Sequence, residues 1–130
     1  MMDPTRKTIL VVDDAATVRM YHRSILEGAG FAVDEAVNGI EAMEKALTTP
    51  FGLYVVDVNM PKQDGYSFLR ELRRRDLPQT PAVMISTEAE TKDQSLAYEA
   101  GANFYMIKPI KPQDLLAVCR LLLGVAGGAS

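Results

Sequence analysis

The chain has 130 residues, 48% of them hydrophobic and 24% charged, with a formal net charge of -3. That length suits one domain with a sizeable core, and the mild acidity lacks the basic footprint of a nucleic-acid binder. A lone cysteine, Cys119, excludes an intrachain disulfide, and no apolar run approaches the roughly 20 residues that cross a bilayer, so a cytoplasmic protein is expected.

Residues 1–7 carry no apolar segment of the secretory-signal type. Thr8-Ile9-Leu10-Val11-Val12 is then a wholly apolar, β-forming run that ends in the pair Asp13-Asp14. Val18, Tyr21, Ile25, Leu26 and Ala29 follow at helical spacing, and Gly30 supplies a stop. His22, the only histidine, lies on that stripe and reads as a packed or boundary residue rather than a catalytic base. Phe31 to Ala36 reads as a short strand and Asn38-Gly39 as a turn. Ile40, Met43, Ala46 and Leu47 mark a helix that ends before Pro50.

Leu53-Tyr54-Val55-Val56 runs straight into Asp57, and Pro61 bars the strand from continuing. A short, wholly apolar run of this kind is that of a central strand in a parallel sheet covered on both faces. Asp64-Gly65 marks a turn, and Phe68, Leu69 and Leu72 the core face of a third helix, on which Arg70, Arg73, Arg74 and Arg75 read as a solvated edge. Pro78 and Pro81 fence off Ala82-Val83-Met84-Ile85, which ends in Ser86-Thr87-Glu88. Leu96, Ala97 and Ala100 mark a fourth helix, closed by Gly101. Phe104 to Ile107 is a fifth strand and ends in Lys108-Pro109. Leu115, Leu116, Val118, Cys119, Leu122 and Leu123 form a last amphipathic helix, in which Cys119 reads as a small buried residue.

Strand and helix thus alternate five times, which predicts an α/β fold: a doubly wound parallel sheet with helices on both faces and right-handed crossovers. Four of the strands then deliver polar residues to one edge: Asp13-Asp14, Asp57, Ser86 and Lys108. In such sheets ligands and chemistry sit at the carboxyl ends of the strands. Three clustered carboxylates repel, and a hard cation such as Mg²⁺ relieves that repulsion. Asp57 can then attack phosphorus to form an acyl phosphate, with Lys108 and Ser86 binding the transferred oxygens. Transfer of this kind rests on positioning and charge neutralisation, so no histidine base is needed.

Val11-Val12-Asp13-Asp14, Val56-Asp57-Val58-Asn59-Met60-Pro61, Asp64-Gly65, Ser86, Ala100-Gly101-Ala102 and Lys108-Pro109 form a set at specific spacings. From Thr8 to about Leu123 the chain resembles the receiver domains of two-component response regulators, most closely stand-alone, CheY-like chemotaxis regulators. The resemblance implies a flavodoxin-like (βα)5 fold with strand order 2-1-3-4-5. It implies one receiver domain over 1–124, a flexible tail over 125–130 and no output domain. Asp57 is then the phosphoacceptor, and Mg²⁺ is held by Asp14, Asp57 and the backbone carbonyl of Asn59, with Asp13 supporting it largely through its waters. Ser86 and Lys108 bind the phosphoryl group, and a cis Lys108-Pro109 peptide helps to aim the lysine.

By the same resemblance Ser86 and Tyr105 form a switch. The hydroxyl moves toward the phosphoryl group, the aromatic turns inward, and the face made by the fourth helix, fifth strand and fifth helix changes its partner affinity. Asn59 and Glu88 flank the site and tune hydrolysis, a pairing that resembles receivers losing their phosphoryl group quickly. Thr87 departs from the small residue usual there, and Glu90 and Thr91 from an often more basic stretch, which points to a different partner surface. Met20, on the exposed side of the first helix, is a candidate contact for the phosphodonor. The implied protein is a cytoplasmic monomer that binds neither nucleic acid nor membrane. It is phosphorylated by a CheA-like sensor histidine kinase and binds a flagellar motor switch protein. A phosphorelay shuttle or phosphate sink is the alternative within the family. The alternative outside it is an enzyme, an aspartate-nucleophile phosphatase of the haloacid dehalogenase type. Such enzymes carry a second Asp two residues after the nucleophile, where this chain has Asn59.

Overall fold

Short apolar runs that alternate sides along a strand can be buried twice, once on each face of a sheet, and the chain uses its strands in this way. The computed structural model describes residues 8–60 and 63–124; Pro61 and the tail expected at 125–130 lie outside them. The elements are β1 (Thr8–Val12), α1 (Ala16–Gly28), β2 (Ala32–Ala36), α2 (Gly39–Thr48), β3 (Leu53–Asp57), α3 (Gly65–Arg74), β4 (Ala82–Ser86), α4 (Thr91–Ala100), β5 (Phe104–Ile107) and α5 (Pro112–Leu123). All strand pairs are parallel, in the order β2-β1-β3-β4-β5, the doubly wound flavodoxin-like arrangement expected.

Alternate residues divide the core in two. Leu10, Val12, Tyr54, Val56 and Met84 face α2, α3 and α4, where Met43, Phe68, Leu69, Leu72 and Ala97 cover them. Ile9, Val11, Leu53, Val55, Val83 and Ile85 face the opposite way and meet Leu26 of α1 with Leu115 and Cys119 of α5. Cys119 is buried as expected, and burial pushes its thiol up to about 12, which leaves it unreactive at neutral pH. Helix starts are fixed locally: the Asn38 side chain accepts from Glu41 N, and Asp64 from Ser67 N.

The helical stripes are wider in sequence than in the fold. Ile40 and Leu47 are 49% and 48% exposed, because Ala42, Met43 and Ala46 set the buried face of α2 and leave the other two on its flank. Tyr21 and Leu96 are likewise exposed on α1 and α4. β2 begins at Ala32, one residue later than expected, with Phe31 buried just before it. The arginine cluster needs a correction. Arg73 is not part of a solvated edge, since its guanidinium donates to Gly101 O at 2.9 and 3.1 Å and to Thr80 O at 2.7 Å. Gly101, in the left-handed region at φ 111°, ends α4 there, and any side chain on it would strike the Arg73 stem. Arg73 thereby ties the end of α3 to the start of β4 and the end of α4.

Truncating Phe68, which is fully buried, to alanine should cost about 3–5 kcal/mol. Leu121→Ala, at a position 74% exposed on α5, should change stability by less than about 0.5 kcal/mol. Urea unfolding of the two variants checks the difference.

Candidate functional site

The sheet register sets the site. Asp13 follows β1 directly, and its N–H donates to Ala36 O on β2 at 3.1 Å. Asp57 is the last residue of β3 and stands opposite Ile85 of β4. Lys108 follows β5, and its N–H donates to Ser86 O at 2.8 Å. Parallel pairing therefore brings these residues to one edge. Lys108 Nζ lies 2.8 Å from Asp57 Oδ1 and 3.2 Å from Asp13 Oδ2. One oxygen each from Asp13, Asp14 and Asp57 fall within 4.8 Å of one another. Asp13 and Asp57 are buried, at 2% and 5% exposure, while Asp14 faces solvent. Gly65, at the start of α3, presses against the end of β3, where a Cβ would strike the Asp57 carbonyl oxygen.

Burial raises the Asp57 carboxyl above its ordinary value, against the hydrogen bond from Lys108, and the neighbouring Asp13 and Asp14 raise it further. Burial alone would lower Lys108, but its hydrogen bond to Asp57 and the charges of Asp57 and Asp13 outweigh that and hold it above the usual lysine value. Partners that simply neutralised each other would shift apart. Here both shift toward the protonated form, Asp57 chiefly through burial with the charges of Asp13 and Asp14 adding to it, and Lys108 through the carboxylates around it, in a pocket with an excess of negative charge.

The remaining expected residues gather beside this cluster. Ser86 is fully buried at the end of β4, and its Oγ accepts from Glu88 N at 3.0 Å. The Tyr105 hydroxyl donates to Glu88 O at 2.6 Å, so the ring is already inward, 7% exposed. Asn59 follows β3, Thr87 and Glu88 follow β4, and all three are exposed. The Lys108-Pro109 peptide is cis, as expected. His22 is 3% exposed and held below its ordinary pKa by burial, the packed histidine anticipated. Met20 is 66% exposed on α1.

The sequence matches the response regulator receiver domain family over residues 9–120. The chain belongs to this family. It is 37% identical over 130 residues to the transcriptional regulatory protein ResD of Bacillus subtilis (strain 168), covering 99% of this chain and 53% of ResD. It is 32% identical to the transcriptional regulatory protein SrrA of Staphylococcus aureus, over 88% of this chain and 47% of SrrA. The chain thus spans about half the length of the curated relatives it matches. Among solved structures it is similar to chemotaxis protein CheY4 of Vibrio cholerae, with a TM-score of 0.84 and 31% identity over 88% of this chain and 97% of that one. The receiver domain of sensor histidine kinase PA1611 from Pseudomonas aeruginosa PAO1 matches with a TM-score of 0.85 and 27% identity, covering 91% of this chain and 98% of that one; its active-site cleft coordinates a magnesium ion.

Receiver domains are signalling modules that take a phosphoryl group on an aspartate from a histidine kinase and act on a downstream target. The acidic pocket here fits Mg²⁺ on its own chemistry. All side-chain donors are hard oxygens, two of them are buried, and the surplus negative charge is of the size a divalent cation would offset. Two participants were not anticipated from sequence. Arg19 donates to Asp13 O, and Glu35 of β2 accepts from Arg19. The one trace in the sequence was an arginine a turn and a half after Asp13-Asp14; the neighbouring strand carries two acidic residues, Asp34 and Glu35, and spacing does not say which of them it meets.

Because the folded pKa of Asp57 is raised, its ionised form penalises the folded state. That penalty is present above the folded pKa and vanishes as pH falls below the ordinary carboxylate range, near pH 4. Asp57→Asn should therefore melt at a higher temperature than the unsubstituted protein at pH 7, with the gap closing on acidification. Melting curves across this pH range check it, and a variant less stable at pH 7 contradicts it.

Proposed function

We propose that Asp57 accepts a phosphoryl group from the phosphohistidine of a sensor kinase in a Mg²⁺-dependent step, and that the acyl phosphate alters partner binding at the α4–β5–α5 face. The observation that carries this reading is the buried carboxylate of Asp57 at a strand end, held 2.8 Å from Lys108 in a pocket with excess negative charge. An Asp57 oxygen attacks phosphorus, the P–N bond to the donor imidazole breaks, and its electron pair leaves with the imidazole. When bound, Mg²⁺ supplies charge neutralisation for the phosphoryl oxygens; Asp13, Asp14, Asp57 and the Asn59 carbonyl are the groups to hold it. Lys108 binds one phosphoryl oxygen. Ser86 Oγ already accepts from Glu88 N, so its own O–H is free to donate to another.

The route outward runs through the β4–α4 loop, where Ser86, Glu88 and Tyr105 share hydrogen bonds. A phosphoryl group that draws Ser86 inward biases a two-state equilibrium of this loop and of α4. Tyr98, Phe104, Ile107 and Leu121 leave 39% or more of their surface exposed on the α4–β5–α5 side, which suits a docking face. Asn59 and Glu88 follow the ends of β3 and β4 and favour rapid hydrolysis, so an acyl phosphate lasting hours in Mg²⁺ buffer contradicts that part. With Asn59 where a phosphatase needs an acid, the protein is a signalling receiver and not an enzyme acting on external esters.

The reader of the mark is a flagellar motor switch protein in a cytoplasmic chemotaxis system, supported by the likeness to CheY4 over 97% of that chain. The 37% identity to ResD favours a second reading, in which this receiver controls a transcriptional regulator of about twice the length. On the first reading, phosphorylation should tighten binding to the motor switch protein at least ~5-fold, with no change for Asp57→Asn. Unaltered binding in both proteins, together with a single longer polypeptide on immunoblots of cell extract, overturns it in favour of the second.

A further inference from the structure

Asp14 is exposed, and among the described residues no hydrogen bond reaches its carboxylate. What orients it must therefore act through the backbone. The Asp13 carbonyl belongs to the peptide plane that joins Asp13 to Asp14, so fixing that carbonyl fixes the direction in which Asp14 departs. Arg19, in the first turns of α1, donates from Nη1 to this carbonyl at 2.7 Å and from Nε to Glu35 Oε1 at 2.8 Å. Its side chain is only 14% exposed. Glu35 sits on β2 beside Val11 of β1, and its other oxygen accepts from Arg23 at 2.6 Å. The Asp13 N–H is meanwhile bonded to Ala36 O on the same strand. Both backbone groups of Asp13 are thus tied to β2, one directly and one through the guanidinium.

We propose that Arg19 is a positioning residue of the metal site: clamped by Glu35, it holds the Asp13–Asp14 turn in the shape that presents both carboxylates to Mg²⁺. The inference rests on the Mg²⁺ reading of this pocket. A forked guanidinium is required, because one donor must reach the carbonyl while another engages Glu35, which a single ammonium does less well. The sign of the effect separates positioning from plain electrostatics. Arg19 is a cation close to an acidic cluster, so removing it should tighten Mg²⁺ binding if charge alone mattered. Loss of positioning should weaken it.

The test is a Mg²⁺ titration of the purified chain, followed by the backbone amide signals of the Asp13–Asp14 turn and Asn59. The series compares the unsubstituted protein with Arg19→Gln, Arg19→Lys and Arg23→Gln, with melting curves taken without Mg²⁺. Arg19→Gln should bind ~10-fold more weakly or worse, the usual scale for losing a residue that orients metal ligands. Arg19→Lys should fall between, and it carries the test if the glutamine variant fails to fold. Arg23→Gln removes the other partner of Glu35 but leaves the contact to Asp13 intact, and it should bind close to normally. Unchanged or tighter binding by the Arg19 variants, or equal weakening by Arg23→Gln, overturns the proposal. If the unsubstituted chain shows no response to Mg²⁺, the underlying reading of the pocket fails, an outcome distinct from loss of the Arg19 effect alone.

Discussion

One ammonium held against three carboxylates is the constraint on which the rest of the site depends. Lys108 bridges Asp57 and Asp13 from the far side of the sheet, across β4 and β3. The bridge closes the cluster geometrically but leaves it short of positive charge: burial and the neighbouring carboxylates push Asp57 toward its protonated form, and the hydrogen bond and charges of the carboxylates hold Lys108 in its own against burial. A pocket in that condition is stabilised by a divalent cation and by groups that bring their own metal, which is the chemistry of phosphoryl transfer. The stability of the apo protein and the proposed reactivity therefore pull in opposite directions at Asp57.

The fold maintains this arrangement with little freedom. Parallel register brings the ends of β1, β3, β4 and β5 to one edge, and wholly buried strands behind them leave Asp13 and Asp57 no route back into the sheet. At the margins the structure is built differently. The β4–α4 loop and the first turn of α4 are held by hydroxyls, with Tyr105 on Glu88 O in the loop and Tyr66 of α3 on Asp93 O in the helix. Hydrogen bonds of this kind are each modest and exchangeable, suitable for a segment with two arrangements. The opposite end of the sheet is braced by the Arg73 guanidinium on Gly101 and Thr80, so the C-terminus of α4 is anchored by a charged group and the approach to its N-terminus by hydroxyls.

The strands and their polar ends were legible because a buried parallel strand has an unmistakable composition and the residue after it can point only to the sheet edge. Asp13, Asp14, Asp57, Ser86 and Lys108 all came from that rule. Helix faces were less legible: spacing alone could not separate Met43, which is buried, from Ile40 and Leu47, which lie on the flank of the same stripe. Arg73 was misread because a charged residue in a run of arginines looks solvated until its backbone acceptors, remote in sequence, are brought to it. Arg19 and Glu35 were invisible for the same reason, since their role exists only through the β1–β2 pairing. Tyr105 was placed in the switch by resemblance, but its inward position depends on a loop carbonyl that no sequence pattern marks.

The central claim is that Asp57 is the residue that carries the phosphoryl group, and its most direct test is chemical. The protein, treated with a small phosphodonor in Mg²⁺ and then with borohydride, should gain one phosphoryl mass before reduction. Peptide mapping should afterwards find homoserine at position 57, with neither change when Mg²⁺ is withheld. Reduction at another aspartate, or a phosphoryl mass that resists borohydride, contradicts the account.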